Sequence, residues 1–220
     1  MAVVSMIKTT ITISRQMGAG GSYIGQIIAK QLGLKYVDRE VLRLAAEEFG
    51  CDQETIEARA ERIQSFWQRI LGGLTLGGPD ARYTPPPQQN FSDRELFNKQ
   101  TEILKRIAAK HDCVVVGWAG VHILPRHPWM FCVFCHAPTS FRVKRLTSVY
   151  DDLTEAKARA LITDSDRTRE IYFNEMTGHD WTCAKNYHLS IDTSLRPLEE
   201  IADLIIKLSE PQRRAAALVA

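Results

Sequence analysis

The amino-terminal part of the chain joins an apolar strand pattern to an amphipathic helix pattern through a glycine-rich turn. Residues 9–14 have the β-branched composition of a strand, and residues 24–32 place isoleucine and leucine on one helical face. The turn between them reads Gly18-Ala19-Gly20-Gly21-Ser22. Glycines allow backbone N–H groups to converge on an anion, and a helix N-terminus adds the positive end of its dipole. The segment therefore predicts a phosphate-binding loop, the alternative being an ordinary turn between strand and helix.

The turn departs from the phosphate-loop pattern G-x-x-x-x-G-K-[ST] at two positions. When Gly20 is aligned with the second glycine, Arg15 replaces the first glycine and Gly21 replaces the lysine. Ser22 keeps its pattern position, from which its hydroxyl would reach Mg²⁺. The pattern therefore predicts phosphate binding by residues 18–22, but it lacks the side chain that usually neutralises the phosphate charge.

Strand and helix patterns alternate along the rest of the 220 residues, a length that suits one domain with a sizeable core. Strand patterns lie at residues 35–38, 113–117, 130–135 and 187–192, and helical patterns lie at residues 92–110, 140–150, 154–175 and 197–208. Residues 39–70 are also mostly helical in pattern. Residues 72–90 hold four glycines and four prolines and are expected to form a loop or insertion. The alternation predicts a doubly wound α/β fold with a parallel sheet.

Composition and charge limit the partners, the location and the cysteine chemistry that are expected for this chain. The formal net charge is +2, so the charge balance gives no reason to expect nucleic acid as a partner. No apolar run reaches membrane-spanning length, and the first residues lack the apolar core of a signal peptide, so a cytoplasmic location without a membrane partner is expected. Cys132 and Cys135 stand three apart in a strand pattern and point to opposite faces, which argues against a disulfide or a shared metal site.

A charged helical stretch is a candidate for contacts with a phosphoryl group. It contains Arg167 and Arg169, which a regular helix would direct about 200° apart. Because Gly178 and Trp181 follow, the stretch is interpreted as a flap with a charged hinge, whose arginines would neutralise a transferring phosphoryl group. A solvated helix face of mixed charge is the alternative.

Two further groups of charges follow strand patterns. The charged triplet at residues 38–40 has two interpretations. Its side chains would contact a second substrate, or they would only cap the next helix. Arg142 and Arg145 share one helix face. That face would either contact a nucleotide or be exposed to solvent. Because ligands of α/β sheets bind outside the carboxyl ends of the strands, both positions suit a binding site.

Taken together and in chain order, the glycine-rich turn and the charged groups described above resemble the cytidylate kinase-like family of P-loop small-molecule kinases. The matching segments are residues 13–22, 36–40, 114–117, 137–145, 166–172, 177–181 and 187–194. The resemblance extends over about residues 7–205, with residues 65–95 matching poorly. It implies one P-loop NTPase-type domain over residues 1–220, in which helices flank a parallel sheet. The implied parts are a core in residues 7–38, 92–146 and 186–209, an acceptor-binding insertion at about residues 39–91, and a helical lid at about residues 150–182.

The resemblance also implies a kinase that uses ATP and Mg²⁺, with CMP or dCMP as the nominal acceptor. The backbone of Gly18, Ala19, Gly20, Gly21 and Ser22 would hold the β-phosphate, and Ser22 would also coordinate Mg²⁺. Positive charge in place of the missing lysine would come from three catalytic arginines, namely Arg15, Arg167 and Arg169.

On the acceptor side, Asp38, Arg39 and Trp118 would contact the substrate. Trp118 stands where the family usually has an arginine, directly after the glycine matched by Gly117. The tryptophan would stack on a base or would simply pack. Small-molecule nucleotides are therefore the expected partners, and a homodimer is left open.

Two other functions are compatible with the sequence. Without the loop lysine, the chain could bind nucleotide without turning it over and act as a sensor or partner subunit, although the arginines of the lid segment argue for catalysis. It could also phosphorylate a small molecule that is not a nucleotide, because the poorly matching residues 65–95 lie on the expected acceptor side. Nucleotide binding without turnover would identify the first function, and substrate competition would identify the second.

Overall fold

A five-stranded sheet with helices on both faces forms the computed structural model, which describes residues 8–38, 93–117 and 120–213. The strands are β1 Thr10–Arg15, β2 Lys35–Val37, β3 Cys113–Val116, β4 Met130–His136 and β5 Leu189–Asp192. The helices in these ranges are α1 Gly21–Leu32, α2 Asp93–Lys110, α3 Gly120–Ile123, α4 Thr139–Val149, α5 Glu155–Thr177 and α6 Leu198–Leu208. The strands and helices that the sequence predicts within these ranges are present, with small shifts at their ends.

The strand order is β2-β3-β1-β4-β5, and every neighbouring pair is parallel. In the central strand β1, Ile13 pairs with Val116 of β3 on one side and with Val133 of β4 on the other. The parallel arrangement brings all five carboxyl ends to one edge, and the chain order reverses beside β1, where α/β folds bind ligands. The predicted fold class, a P-loop-type parallel sheet flanked by helices, is confirmed.

Strand side chains alternate between two buried apolar layers. One layer joins Ile11, Ile13 and Val114 to helices α1 and α6, and the other joins Val115, Cys132 and Phe134 to α2 and α5. Burial on both faces explains why β3 consists of four apolar residues without polar alternation. The free thiols of Cys132 and Cys135 belong to opposite layers, as the strand spacing predicts.

Several predictions concern residues outside the described ranges. These are the acceptor-side insertion at residues 39–91, its Gly/Pro-rich part at residues 72–90, and the site candidates Arg39 and Trp118. None of the described helices has both the length and the apolar character needed to cross a membrane.

The stretch before Gly178 is one unbroken helix without an internal hinge. α5 extends over 23 residues, and the Thr154 side chain caps its first turn. The helix ends at Gly178, whose φ of 71° lets its N–H donate to the Asn174 carbonyl oxygen at 2.7 Å. The hinge prediction is wrong because no glycine or proline interrupts this charged stretch, and its residues are all compatible with helix.

The packing of α5 anchors it at both ends. Ala158 and Ile162 pack against α4, and Phe173 packs into the apolar layer that contains β3 and β4. The regular backbone also sends Arg167 and Arg169 to different sides of the helix, as expected for residues two apart.

Candidate phosphate-binding site

The loop between β1 and α1 has the backbone of an anion-binding turn. Gly18 and Gly20 have φ values of 79° and 78°, in the left-handed region that glycine adopts without strain. The backbone N–H groups of Gly18, Gly20, Gly21 and Ser22 donate to no acceptor among the described residues. The first turn of α1 thus presents unpaired donors at the positive end of the helix dipole, and phosphate oxygens are suitable acceptors for them.

Contacts with the ends of β4 and β5 hold the loop in place. The Gln16 N–H donates to the Cys135 carbonyl oxygen at 3.0 Å, and the Gln16 side-chain oxygen accepts from the Ala137 N–H at 3.3 Å. The Thr193 hydroxyl donates to the Ala19 carbonyl oxygen at 2.8 Å. None of these bonds uses the N–H groups of residues 18 and 20–22, so the loop is fixed while those donors stay available.

The Arg15 side chain crosses the loop along a groove made by two glycines. A Cβ on Gly21 would lie 2.6 Å from the Cβ of Arg15 and 3.0 Å from its Cγ. A Cβ on Gly117, which follows β3, would overlap Arg15 Nη1 and lie 3.1 Å from Cζ. The stem of Arg15 therefore lies over Gly21, and its guanidinium lies over Gly117. The side chain from position 15 fills the space that a side chain from position 21 would need.

The Arg15 guanidinium makes no hydrogen bond or ion pair with any residue of the described ranges. Its positive charge acts instead on two buried ionisable groups, the Cys135 thiol and the Tyr36 phenol. Burial raises the pKa of Cys135 to about 12, and Arg15 opposes that rise. Burial also raises the pKa of Tyr36, again against the influence of Arg15. A half-buried cation beside unpaired N–H donors favours an anionic ligand.

Ser22 and Asp38 lie near the same tyrosine. The Asp38 carboxylate adds to the burial-driven rise in the pKa of Tyr36, and the Ser22 hydroxyl lowers it. No group of three or more His, Cys, Asp or Glu side chains suited to a metal occurs in the described part of the chain. Mg²⁺, however, usually takes one or two protein oxygens and completes its shell with water and phosphate. The Ser22 hydroxyl fits that requirement.

On the other side of the loop, charged side chains join it to α5. The buried Arg142 donates from Nη1 to Asp166 Oδ2 at 2.5 Å and to the Met17 carbonyl oxygen at 3.3 Å. Asp166 also accepts from the Met17 N–H at 3.1 Å and lies 3.6 Å from the Arg169 guanidinium. Arg142 therefore connects the loop to α5, and Arg169 lies against an internal carboxylate.

A cavity of about 520 Å³ opens between the loop, the start of α4 and α5. Gln16, Thr139, Arg167 and Trp181 are among the residues that line it. Arg167 is exposed and forms no ion pair or hydrogen bond within the described ranges. The volume is that of a small-molecule site. Arg167 is thus the lid-segment arginine that is available to a ligand in this cavity.

The structure divides the predicted site residues between two places. Arg15, the loop residues 18–22 and Asp38 come together at the carboxyl ends of the strands. Arg167 lies on the cavity side of the loop, and Arg169 lies against Asp166. Arg39 and Trp118, predicted for the acceptor side, are outside the described residues.

Three contributors were not assigned from the sequence. In the sequence Asp166 is one residue of a charged stretch, and its spacing of three from Arg169, which is that of a helical ion pair, is the signal for its role. In the sequence Gly117 is a motif position and Tyr36 is a neighbour of Asp38, and neither pattern indicates a contact with Arg15. The paired exchange of Arg15 and Gly21 was the available signal for a groove, but nothing local linked it to Gly117.

The parallel sheet flanked by helices, with a glycine-rich loop after its central strand, is a P-loop-type fold. The profile of the cytidylate kinase-like family matches residues 10–195, and the chain belongs to this family. Among solved structures, an uncharacterized protein from Eubacterium ventriosum is similar with a TM-score of 0.66 at 18% identity, covering 92% of this chain and 99% of that one. A gluconokinase from Sinorhizobium meliloti has a TM-score of 0.50 at 14% identity, covering 95% and 98%. Likeness at these identities concerns the fold.

A curated relative is much longer than this chain. It is a protein from Lacinutrix mariniflava named S-adenosylmethionine-dependent nucleotide dehydratase, 26% identical over 203 residues. The match covers 91% of this chain but only 36% of the relative. The chain therefore corresponds to about a third of that protein's length.

Proposed function

We propose that the chain transfers the γ-phosphoryl group of ATP to a nucleoside monophosphate, nominally CMP or dCMP. The observation that carries the proposal is the position of Arg15, a cation without a partner among the described residues, beside a loop whose N–H donors are also unpaired within those residues. In the reaction, a phosphate oxygen of the acceptor bonds to the γ-phosphorus while the bond to the β–γ bridging oxygen breaks, giving ADP and a nucleoside diphosphate. Such a transfer needs mainly positioning and charge neutralisation, so no nucleophilic side chain is required.

Each part of the site has a role in this reaction. The N–H groups of residues 18–22 donate to the β-phosphate, and Arg15 supplies the positive charge that the loop lysine normally provides. The Ser22 hydroxyl is the proposed ligand for Mg²⁺, which when bound neutralises phosphate oxygens. From the cavity, Arg167 contacts the transferring phosphoryl group. Arg169 adds positive charge beside Asp166.

A nucleotide is the favoured acceptor for two reasons. The family to which the chain belongs is the cytidylate kinase-like one. The longer relative that contains a similar segment is named for a nucleotide substrate. Asp38, together with Arg39 and Trp118, would contact the acceptor at the ends of β2 and β3.

The test is ADP release by the purified protein with Mg²⁺–ATP and CMP, dCMP, UMP or AMP, beside a control without acceptor. We expect release that depends on the acceptor and is fastest with CMP or dCMP. Measurable ATP binding with no release for any nucleotide would contradict the proposal, and it would favour a sensor or a kinase for a different small molecule.

Gly117→Ala is expected to displace the Arg15 guanidinium and to lower kcat about 100-fold, because a misplaced charge no longer meets the phosphate. Gly33→Ala is the matched control. Gly33 also has a positive φ, 65°, but a Cβ there meets nothing within 4 Å. Both variants should lose about 1–2 kcal/mol of unfolding free energy from backbone strain. Equal kcat values in Gly117→Ala and Gly33→Ala would show that the position of the Arg15 guanidinium over Gly117 does not contribute to turnover.

A further inference from the structure

The segment between α5 and β5 is held in place by hydrogen bonds of its own. The Asp180 carboxylate accepts from the Thr182 N–H at 2.8 Å and from the Thr182 hydroxyl at 2.7 Å. The Asn186 side chain donates to the Asp180 carbonyl oxygen at 2.8 Å, and Arg126 donates to the Asn186 carbonyl oxygen at 2.8 Å. These bonds fix the backbone around Trp181 and Thr182, which line the cavity beside the phosphate-binding loop.

Tyr187 joins this segment to the strand that leads into the loop. Its side chain is buried, and its hydroxyl donates to the Trp181 carbonyl oxygen at 2.5 Å. Burial raises the pKa of Tyr187 to about 12, and the Ser14 hydroxyl, which interacts with the same phenol, opposes that rise. Ser14 lies in β1 and directly precedes Arg15. The phenol therefore contacts the end of β1 and the backbone of Trp181 at the same time.

The Trp181 indole carries a donor that has no acceptor in the described part of the chain. The residue is 4% exposed, and its ring packs edge-on against Phe134 of β4, with the ring centroids 5.6 Å apart. The indole N–H makes no hydrogen bond there, and it is not among the fully buried atoms that lack a partner. The N–H of a buried tryptophan usually has an acceptor. Because Trp181 lines the cavity, a ligand bound there would supply one.

Two other side chains that line the cavity indicate the class of that ligand. The Arg167 guanidinium suits phosphate oxygens, and the Glu170 carboxylate suits the hydroxyl groups of a sugar. A nucleotide contains both kinds of group. In the proposed function, the acceptor lies at the ends of β2 and β3, and Arg167 contacts the transferring phosphoryl group. ATP is therefore the nucleotide that fits this side of the loop.

We propose that Trp181 binds ATP by donating its indole N–H to a phosphate oxygen, and that Tyr187 is the positioning residue that fixes Trp181 relative to the phosphate-binding loop. The inference rests on the proposed function, which supplies ATP as the ligand. Tyr187 contacts no ligand itself, because its hydroxyl acts through the carbonyl group of Trp181 and through β1. Loss of that hydroxyl misplaces the indole without removing it.

Trp181→Phe removes the indole N–H and keeps an aromatic ring beside Phe134. We expect the Kd for Mg²⁺–ATP, measured by isothermal calorimetry, to rise about tenfold, the loss typical of one hydrogen bond to a charged group. The KM for CMP should stay at the wild-type value. Trp129→Phe is the matched control, because Trp129 comes just before β4, at the sheet edge opposite the loop, and its indole N–H also lacks a partner among the described residues. That variant should bind ATP like the wild type.

Tyr187→Phe tests the positioning role. We expect ATP binding to weaken about fivefold. The double variant Trp181→Phe/Tyr187→Phe should bind ATP no more weakly than Trp181→Phe alone, because a residue that acts through another has no effect once that contact is gone. A lower Tm with a wild-type Kd for ATP would show that the Tyr187 hydroxyl has only a structural role. Additive losses in the double variant would show that Tyr187 does not act through Trp181.

The outcomes separate this inference from the proposed function. A wild-type Kd for ATP in Trp181→Phe would overturn the role of Trp181 and leave the kinase function intact. ATP binding that weakens in Trp181→Phe, in a protein that releases no ADP with any nucleotide acceptor, would support the role of Trp181 and contradict the proposed function. Absence of ATP binding by the wild-type protein would overturn both.

Discussion

Arg15→Ala is expected to lower kcat for acceptor-dependent ADP release by about 100- to 1000-fold, the loss typical of removing one group that stabilises transition-state charge. The reason is the geometry of the loop, where the guanidinium lies over Gly117 without a partner in the described residues. The free energy of unfolding should change by less than about 1 kcal/mol, because no hydrogen bond or ion pair is lost. Steady-state kinetics and thermal unfolding of the same preparation measure both. A kcat within twofold of the wild type would refute the role of Arg15.

Replacing the residues at positions 15 and 21 by those of the common phosphate-loop pattern tests the role of Arg15 more stringently. Gly21→Lys alone should be strongly impaired, because its Cβ would lie 2.6 Å from the Cβ of Arg15. Adding Arg15→Gly removes that collision and restores the common pattern, with glycine at position 15 and lysine at position 21. We expect the double variant to be more active than either Arg15→Ala or Gly21→Lys. A double variant no better than the single ones would mean that the two positions do not share one space.

Arg142→Ala is expected to reduce the free energy of unfolding by about 3 kcal/mol. The Arg142 side chain is 8% exposed, and its removal leaves the Asp166 carboxylate, which is 20% exposed, without its closest cation. The Met17 carbonyl oxygen loses its bond from Arg142 as well. Breaking a buried pair in this way leaves an uncompensated charge in a medium that solvates it poorly. Chemical denaturation would measure the loss.

Arg106→Ala is the matched control for this prediction. Arg106 and Glu102 form an ion pair on α2 at 3.9 Å, with exposures of 71% and 73%. Solvent screens such a pair, so its loss should cost about 0.3 kcal/mol. Similar losses in Arg142→Ala and Arg106→Ala would show that the contact between the loop and α5 does not contribute to stability.

The strands and helices were predictable because their signals are local. β3 is apolar throughout since it is buried on both faces, and α6 begins just after a proline and keeps an apolar face. The hinge prediction in α5 depended on Gly178 and Trp181, which follow the charged stretch in the sequence. Helix propensity and packing of Ala158 and Ile162 decided otherwise.

The site was only partly predictable, since its decisive contacts join distant parts of the chain. The loop residues 18–22 are contiguous, and their glycines alone indicate phosphate binding. The contact of the Arg15 guanidinium with Gly117, by contrast, occurs because β1 and β3 are neighbours in the sheet. The bond between Met17 and Asp166 joins residues 149 positions apart. No spacing rule covers such pairs.

Titration of Mg²⁺–ATP into the protein by isothermal calorimetry tests most directly whether the loop is a phosphate-binding site that uses Arg15. The account predicts saturable one-to-one binding by the wild type, and binding weakened at least tenfold in Arg15→Ala. The Gly33→Ala control should bind ATP like the wild type. Absence of wild-type binding, or equal affinity in Arg15→Ala, would contradict it.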